Sequence, residues 1–206
     1  MDYQQERLIV KNYLKESDWE IMDGHHLILG KTADYITGEI IEDTHDERYR
    51  QNIARLLVNE KLYNKLDIKP RHAILVKAGE KKAIIRVDFL ITLENRILMI
   101  IKYGPGSIIT RHRPALSASR LVALYQVPIV VVTNGVDADH LDGSTGKVFL
   151  KGLDAILSKP ELLKLSEKFT FSEIPEIRAE AESRILYAYE VDGSCPCDDT
   201  ICRIDP

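Results

Sequence analysis

Arg86-Val87-Asp88-Phe89-Leu90-Ile91-Thr92-Leu93-Glu94-Asn95-Arg96-Ile97-Leu98-Met99-Ile100-Ile101-Lys102 is the stretch on which the fold turns. Two apolar, β-branched runs flank Leu93-Glu94-Asn95, so they read as antiparallel strands joined by a short turn. One aspartate, Asp88, sits inside the first run, and one lysine, Lys102, closes the second. Charges in such surroundings need partners. Asp88 can pair with Arg86 on its own strand or with Lys102 across the hairpin, or the two charges can belong to a site.

Further strands and helices extend the pattern on both sides. Residues 72–77 make a third β-rich run before Gly79-Glu80-Lys81-Lys82, which predicts a three-strand meander over 72–77, 83–92 and 96–103. Upstream, Thr44-His45-Asp46-Glu47 has the form of a capping box and precedes apolar residues at helical spacing, predicting a helix over 46–63. Downstream, Gly104-Pro105-Gly106-Ser107 ends the meander and 116–125 reads as helix. Ile129-Val130-Val131-Val132-Thr133 is apolar on both faces, as a central strand requires, and Asn134-Gly135 turns the chain after it. A strand over 146–150 and helices over 160–169 and 175–189 follow. At the other end, a helix over 5–14 and strand-like pieces around His26-Leu27-Ile28-Leu29 and Tyr35-Ile36 form an N-terminal wrap.

Helix, three strands, helix, strand is a mixed α/β order in which a meander enters a sheet and a helical crossover returns the chain to a neighbouring strand. The expected division is a wrap over 1–43, a core over 44–157, and C-terminal helices with a tail over 158–206. The 206 residues suffice for a sizeable core. With 32 acids against 28 bases, bulk charge names no partner. No leader pattern opens the chain, and no apolar run approaches the roughly 20 residues that span a bilayer, so a cytoplasmic location without membrane attachment is expected.

Asp46-Glu47-Arg48-Tyr49-Arg50-Gln51 opening a helix, then Arg86-Val87-Asp88-Phe89, Lys102, and Val132-Thr133-Asn134-Gly135 follow one another in an order that resembles the N-terminal nuclease domain of type I restriction enzyme R subunits. The likeness covers roughly residues 34–157. It implies a restriction-endonuclease-like mixed sheet flanked by helices, with N- and C-terminal extensions, and a PD-(D/E)xK site. Asp88 matches the metal-binding aspartate, Lys102 the lysine of the triplet, and Glu47 the acid of the first helix. The triplet itself reads Ile100-Ile101-Lys102, so its glutamate is replaced. The ATP-driven motor domains of R subunits are not expected in these residues.

The replacement matters chemically. Mg²⁺ takes about six oxygens and is normally anchored by one or two carboxylates, whereas isoleucine neither ligates nor accepts a proton. Asp88 and Glu47 would have to hold the ion, unless Glu47 instead reaches back to the Thr44 N–H as a cap.

Between Asn95 and Val136 the chain carries Arg96, Lys102, Arg111, Arg113 and Arg120 without one acid. Arg111, Arg113 and Arg120 are therefore candidate phosphate contacts with DNA, against the alternative of a solvated helix start. The glycines at 104 and 106 suit either close approach to a phosphate or a tight turn.

Cys195, Cys197 and Cys202 are the only cysteines and lie together in the tail. Three thiols suggest part of a zinc or iron–sulfur site. A fourth ligand would have to come from a carboxylate or from His25, His26, His45, His72, His112 or His140; a Cys197–Cys202 disulfide and free thiols are the alternatives. Leu29-Gly30-Lys31-Thr32 is not a P-loop, because His25 stands where the motif needs glycine. Three functions stay open: a DNA-binding protein of nuclease fold with weakened or lost cleavage, an active Mg²⁺-dependent endonuclease using Glu47 and Asp88, and a structural or partner-binding domain, each compatible with a protein partner or self-association.

Overall fold

The computed structural model describes residues 27–192 and 201–204. A small hairpin, β1 (Gly30–Ala33) and β2 (Ile40–Asp43), precedes helix α1 (His45–Asn59). The meander is β3 (Ile68–Ala78), β4 (Lys81–Leu93) and β5 (Arg96–Tyr103), followed by α2 (His112–Ser119), β6 (Ile129–Thr133), β7 (Ala138–Asp142) and β8 (Val148–Lys151). Helices α3 (Lys159–Ser166) and α4 (Glu176–Tyr187) come next, a π-helical turn over Ala188–Asp192 extends α4, and β9 (Ile201–Ile204) closes the described chain.

The strands join in the order β3-β4-β5-β6-β7-β8, with β9 also on β4. Among the described strands only β5 and β6 run parallel, and α2 is the crossover between them. Helices cover both faces. Met99, Ile101, Ile129 and Val131 pack with Ile53 and Leu57 of α1 and Leu162 of α3. Ile100, Val130 and Val132 pack on the other face with Ala115 and Ala118 of α2 and Leu186 of α4. This two-sided burial is why β5 and β6 read as unbroken apolar runs.

β4 sets up the site. One of its edges pairs with β3, while the other is shared: Lys82–Ile85 pair with β9 and Phe89–Leu93 with β5. Arg86, Val87 and Asp88 lie between these two partners. The alternation of faces also slips there, because Val87 packs on the α2/α4 side and Phe89, two residues on, packs on the α1 side. Opposite Asp88 in the β3–β4 register, Arg71 takes a left-handed φ of 48°, a conformation non-glycine residues adopt at a cost.

Several boundaries differ from expectation. α2 starts at His112 rather than 116 and ends at Ser119; Pro114 sits in the first turn, where its missing N–H would have had no helical partner. β7 was not anticipated: its polar letters Asp139, His140 and Asp142 hide a strand in which His140 is fully buried. Tyr35-Ile36 is not a strand but the turn of the first hairpin, where Asp34 Oδ1 accepts the Ile36 and Thr37 N–H groups. Leu27–Leu29 lead into β1 without strand structure, and His26 and the expected helix over 5–14 lie outside the described residues. None of the described helices is long and apolar enough to cross a membrane.

Candidate nuclease-like site

Helix α1 delivers the first part of the site. Thr44 is its N-cap, with Oγ1 accepting the Glu47 N–H at 3.1 Å. Glu47, Arg50 and Gln51 then share one face through their i, i+3 and i+4 spacing. The carboxylate of Glu47 does not return to Thr44. Its Oε1 accepts from Gln51 Nε2 at 2.7 Å and Arg71 Nη1 at 3.3 Å, and its Oε2 lies 3.7 Å from Arg50 Nη1. Burial pushes its carboxyl above the ordinary glutamate value, and Gln51 and the two arginines offset this only in part. Gln51 and Arg71 also bond Asp34 Oδ2, at 2.9 and 2.7 Å. Burial alone would raise that aspartate, but the Thr37 N–H, Gln51 and Arg71 outweigh it and hold it at about 2.

Asp88 faces the same helix. Its Oδ1 accepts from Arg50 Nε at 2.7 Å and its Oδ2 from the Tyr103 backbone N–H at 2.7 Å. The second bond ties β4 to the end of β5 where the two strands part. Arg50 also lies over the Tyr103 ring, 5.0 Å from its centroid, and Tyr103 donates its hydroxyl to Asp46 at 2.8 Å. Desolvation works against the buried guanidinium, yet Asp88 and Glu47 more than compensate and raise its pKa. Tyr49 stacks on Tyr103, and the Asn134-Gly135 turn tucks beneath it: Gly135 has a φ of 87°, and a Cβ there would run into the Tyr49 ring. Glycine is required at that corner.

Lys102 goes elsewhere. Its Nζ donates to Glu190 Oε2 at 3.0 Å and to the Arg86 carbonyl at 3.3 Å, one of the residues left between β9 and β5. Glu190 belongs to the π-helical turn after α4, an irregularity that often marks functional positions. Nothing local in the sequence pointed to it. Ile100, on the same strand face as Lys102 two residues away, has no exposed surface and packs into the α2/α4 layer. Glu47 and Asp88 are thus brought together through Arg50, while Lys102 is held by a different carboxylate.

The three candidate arginines separate. Arg113 and Arg120 both bond Glu182 of α4, at 2.7 and 2.8 Å, and Ser117 and Arg178 complete the cluster. Burial would raise Glu182, but Arg113, Arg178 and Ser117 together with the charge of Arg120 lower it to about 2. Arg120 is buried there, so its guanidinium fastens α2 to α4; Arg113 keeps about a third of its side chain exposed. Arg111 lies against Gly104, where a Cβ would come within 3.2 Å of its Nε, and among the described residues it forms no ion pair. The neighbouring His112 Nε2 is 2.8 Å from Asp139 Oδ2.

Do these groups suit the Mg²⁺ that the resemblance implies? As placed, both Asp88 oxygens and Glu47 Oε1 already accept from protein donors, and a guanidinium lies between the two carboxylates. Among the described residues no three His, Cys, Asp or Glu side chains stand together as a metal-binding group. The arrangement does not fit a bound divalent ion. Cys195 and Cys197 lie outside the described residues, and of the three cysteines only the backbone of Cys202, paired with Ile84, is described.

The family model described as the type I restriction enzyme R protein N terminus matches residues 45–156, more than half of the chain. No curated protein and no solved structure matches it. The matched span begins with α1, contains β3 to β8, and includes Glu47, Arg50, Asp88 and Lys102. A seven-stranded mixed sheet with helices on both faces agrees with the restriction-endonuclease-like fold. The chain belongs to the family of the type I restriction enzyme R protein N terminus.

Proposed function

We propose that this domain is a DNA-associated module of nuclease fold that contacts duplex phosphates and in which metal-dependent cleavage is weak or lost. The observation that carries the reading is Ile100: the triplet's acid position holds a fully buried isoleucine locked between α2 and α4. A nuclease-related role follows from family membership. Phosphate contact is argued from Arg111 beside the turn at Gly104, from the exposed Pro105, Gly106 and Ser107, and from the exposed part of Arg113. Such contacts position a duplex without reading its sequence. A cytoplasmic location and further protein subunits as partners accord with the same reading.

The rival is an active Mg²⁺-dependent endonuclease using Glu47 and Asp88. One observation favours it: Glu47 turns into the site rather than capping its helix. The two are separated by titrating duplex DNA at several salt concentrations and incubating duplex, supercoiled and single-stranded DNA with Mg²⁺ or Mn²⁺. The proposed function predicts salt-sensitive binding with little or no cleavage. Efficient cleavage lost in Asp88→Ala would establish the rival, and no binding even at low salt would leave a structural or partner-binding domain.

A further inference from the structure

We infer that Arg50 is the resident cation of this site: its guanidinium takes the place between Asp88 and Glu47 that a divalent ion would take, and removing it uncovers a divalent-cation site. The inference deepens the proposed function by naming what keeps the ion out, and it needs no DNA to be tested.

Arg50 satisfies the requirements of a counter-ion. Its Nε is 2.7 Å from Asp88 Oδ1 and its Nη1 3.7 Å from Glu47 Oε2, so one planar group bridges the strand carboxylate and the helix carboxylate. The Tyr103 ring 5.0 Å below it fixes the plane of the guanidinium. Arginine cannot lose its proton to make room for a metal, and a short bond from a charged donor to a carboxylate is among the strongest a protein makes.

A divalent ion entering beside Arg50 would meet a fixed positive charge and would have to strip the donors from both Asp88 oxygens. Arg71 adds a second positive charge, 3.3 Å from Glu47 and 2.7 Å from Asp34. Counting Asp34, Glu47 and Asp88 against Arg50 and Arg71 leaves one net negative charge. Without Arg50 the excess rises to two, with Asp88 Oδ1 and Glu47 Oε2 freed toward the same space. Freed carboxylate oxygens of this kind are what a hard divalent cation selects.

The test uses the full chain with Mn²⁺ alone as probe, following free Mn²⁺ by electron paramagnetic resonance and protein stability by thermal unfolding. Wild type and Asp88→Asn are expected to bind Mn²⁺ equally weakly, with midpoints that Mn²⁺ does not move. Arg50→Ser should bind Mn²⁺ about tenfold more tightly or better, with a midpoint raised by Mn²⁺, and the double variant R50S/D88N should lose both gains. An Arg50→Ser variant that folds only when Mn²⁺ is present supports the inference; if it does not fold at all, Arg50→Gln, which fills more of the space, is measured in its place. Mn²⁺ binding by wild type that disappears in Asp88→Asn overturns it, as does a folded Arg50→Ser or Arg50→Gln with no gain. The proposed DNA role can fail while this stands, because neither readout contains DNA.

Discussion

Lys102 and Glu190, 88 residues apart in the chain, form a partly buried ion pair with Nζ and Oε2 separated by 3.0 Å. If Lys102 is a phosphate contact, a DNA oxygen must compete with that carboxylate. Glu190→Gln removes the competing charge and keeps the shape, so duplex affinity at low salt should rise about threefold to tenfold, or about 1 kcal/mol. A fluorescence-anisotropy titration of the two proteins reads this directly. Unchanged or weaker binding would mean that Lys102 serves only to fasten the turn after α4.

Ile100→Glu restores the letter of the triplet without restoring a site. The new carboxyl would enter the layer of Val130, Val132, Ala118 and Leu186, where an unpaired charge costs about 3 kcal/mol or more. Urea unfolding should show that loss, and cleavage should not appear. A stable Ile100→Glu with metal-dependent cleavage would show that the strand face is open to an ion after all.

Glu182 gives the fold an acid-sensitive fastening. Its carboxyl sits at about 2, below the ordinary 4.5. A group whose folded pKa is depressed stabilises the fold above its unfolded value and loses that contribution as pH falls toward the folded one. The α2–α4 contact should therefore weaken between pH 4.5 and 2, with Asp34, also at about 2, adding to the same trend. Glu182→Gln should unfold at lower temperature at neutral pH and show a shallower fall in midpoint with acid. Parallel curves for the two proteins would contradict this.

Arg111 and Arg120 should behave oppositely. Arg111→Ala should leave stability within about 0.5 kcal/mol and lower the slope of log affinity against log salt by about 1. Arg120→Ala should destabilise by about 1–3 kcal/mol through Glu182 with an unchanged salt slope. Double-stranded DNA binding at three or more salt concentrations, alongside urea unfolding, checks both.

The central strands β4, β5 and β6 were legible because burial leaves long apolar runs, as in Ile97 to Ile101 and Ile129 to Val132. α1 was legible through its cap and its apolar spacing. β7 was not, since Asp139 and His140 are buried polar residues whose partners, His112 and the Gly152 carbonyl, cannot be seen locally. The acid-free run from Asn95 to Val136 looked like an unpaired basic surface for a related reason. Its counter-charges come from distant segments: Glu190 for Lys102 and Glu182 for Arg113 and Arg120. Asp88, Lys102 and Glu47 were singled out by their motif positions, but Arg50 and Glu190, which decide what those residues touch, became visible only once the helix and the turn were packed against the sheet.

The proposed function pairs duplex contact with metal-dependent cleavage that is weak or lost. Its most direct test is a cleavage and binding assay of wild type and Asp88→Ala on the same duplex with Mg²⁺ and with Mn²⁺. The account predicts salt-sensitive binding by both proteins and little or no cleavage by either. Efficient metal-dependent strand scission by wild type that vanishes in Asp88→Ala would contradict it.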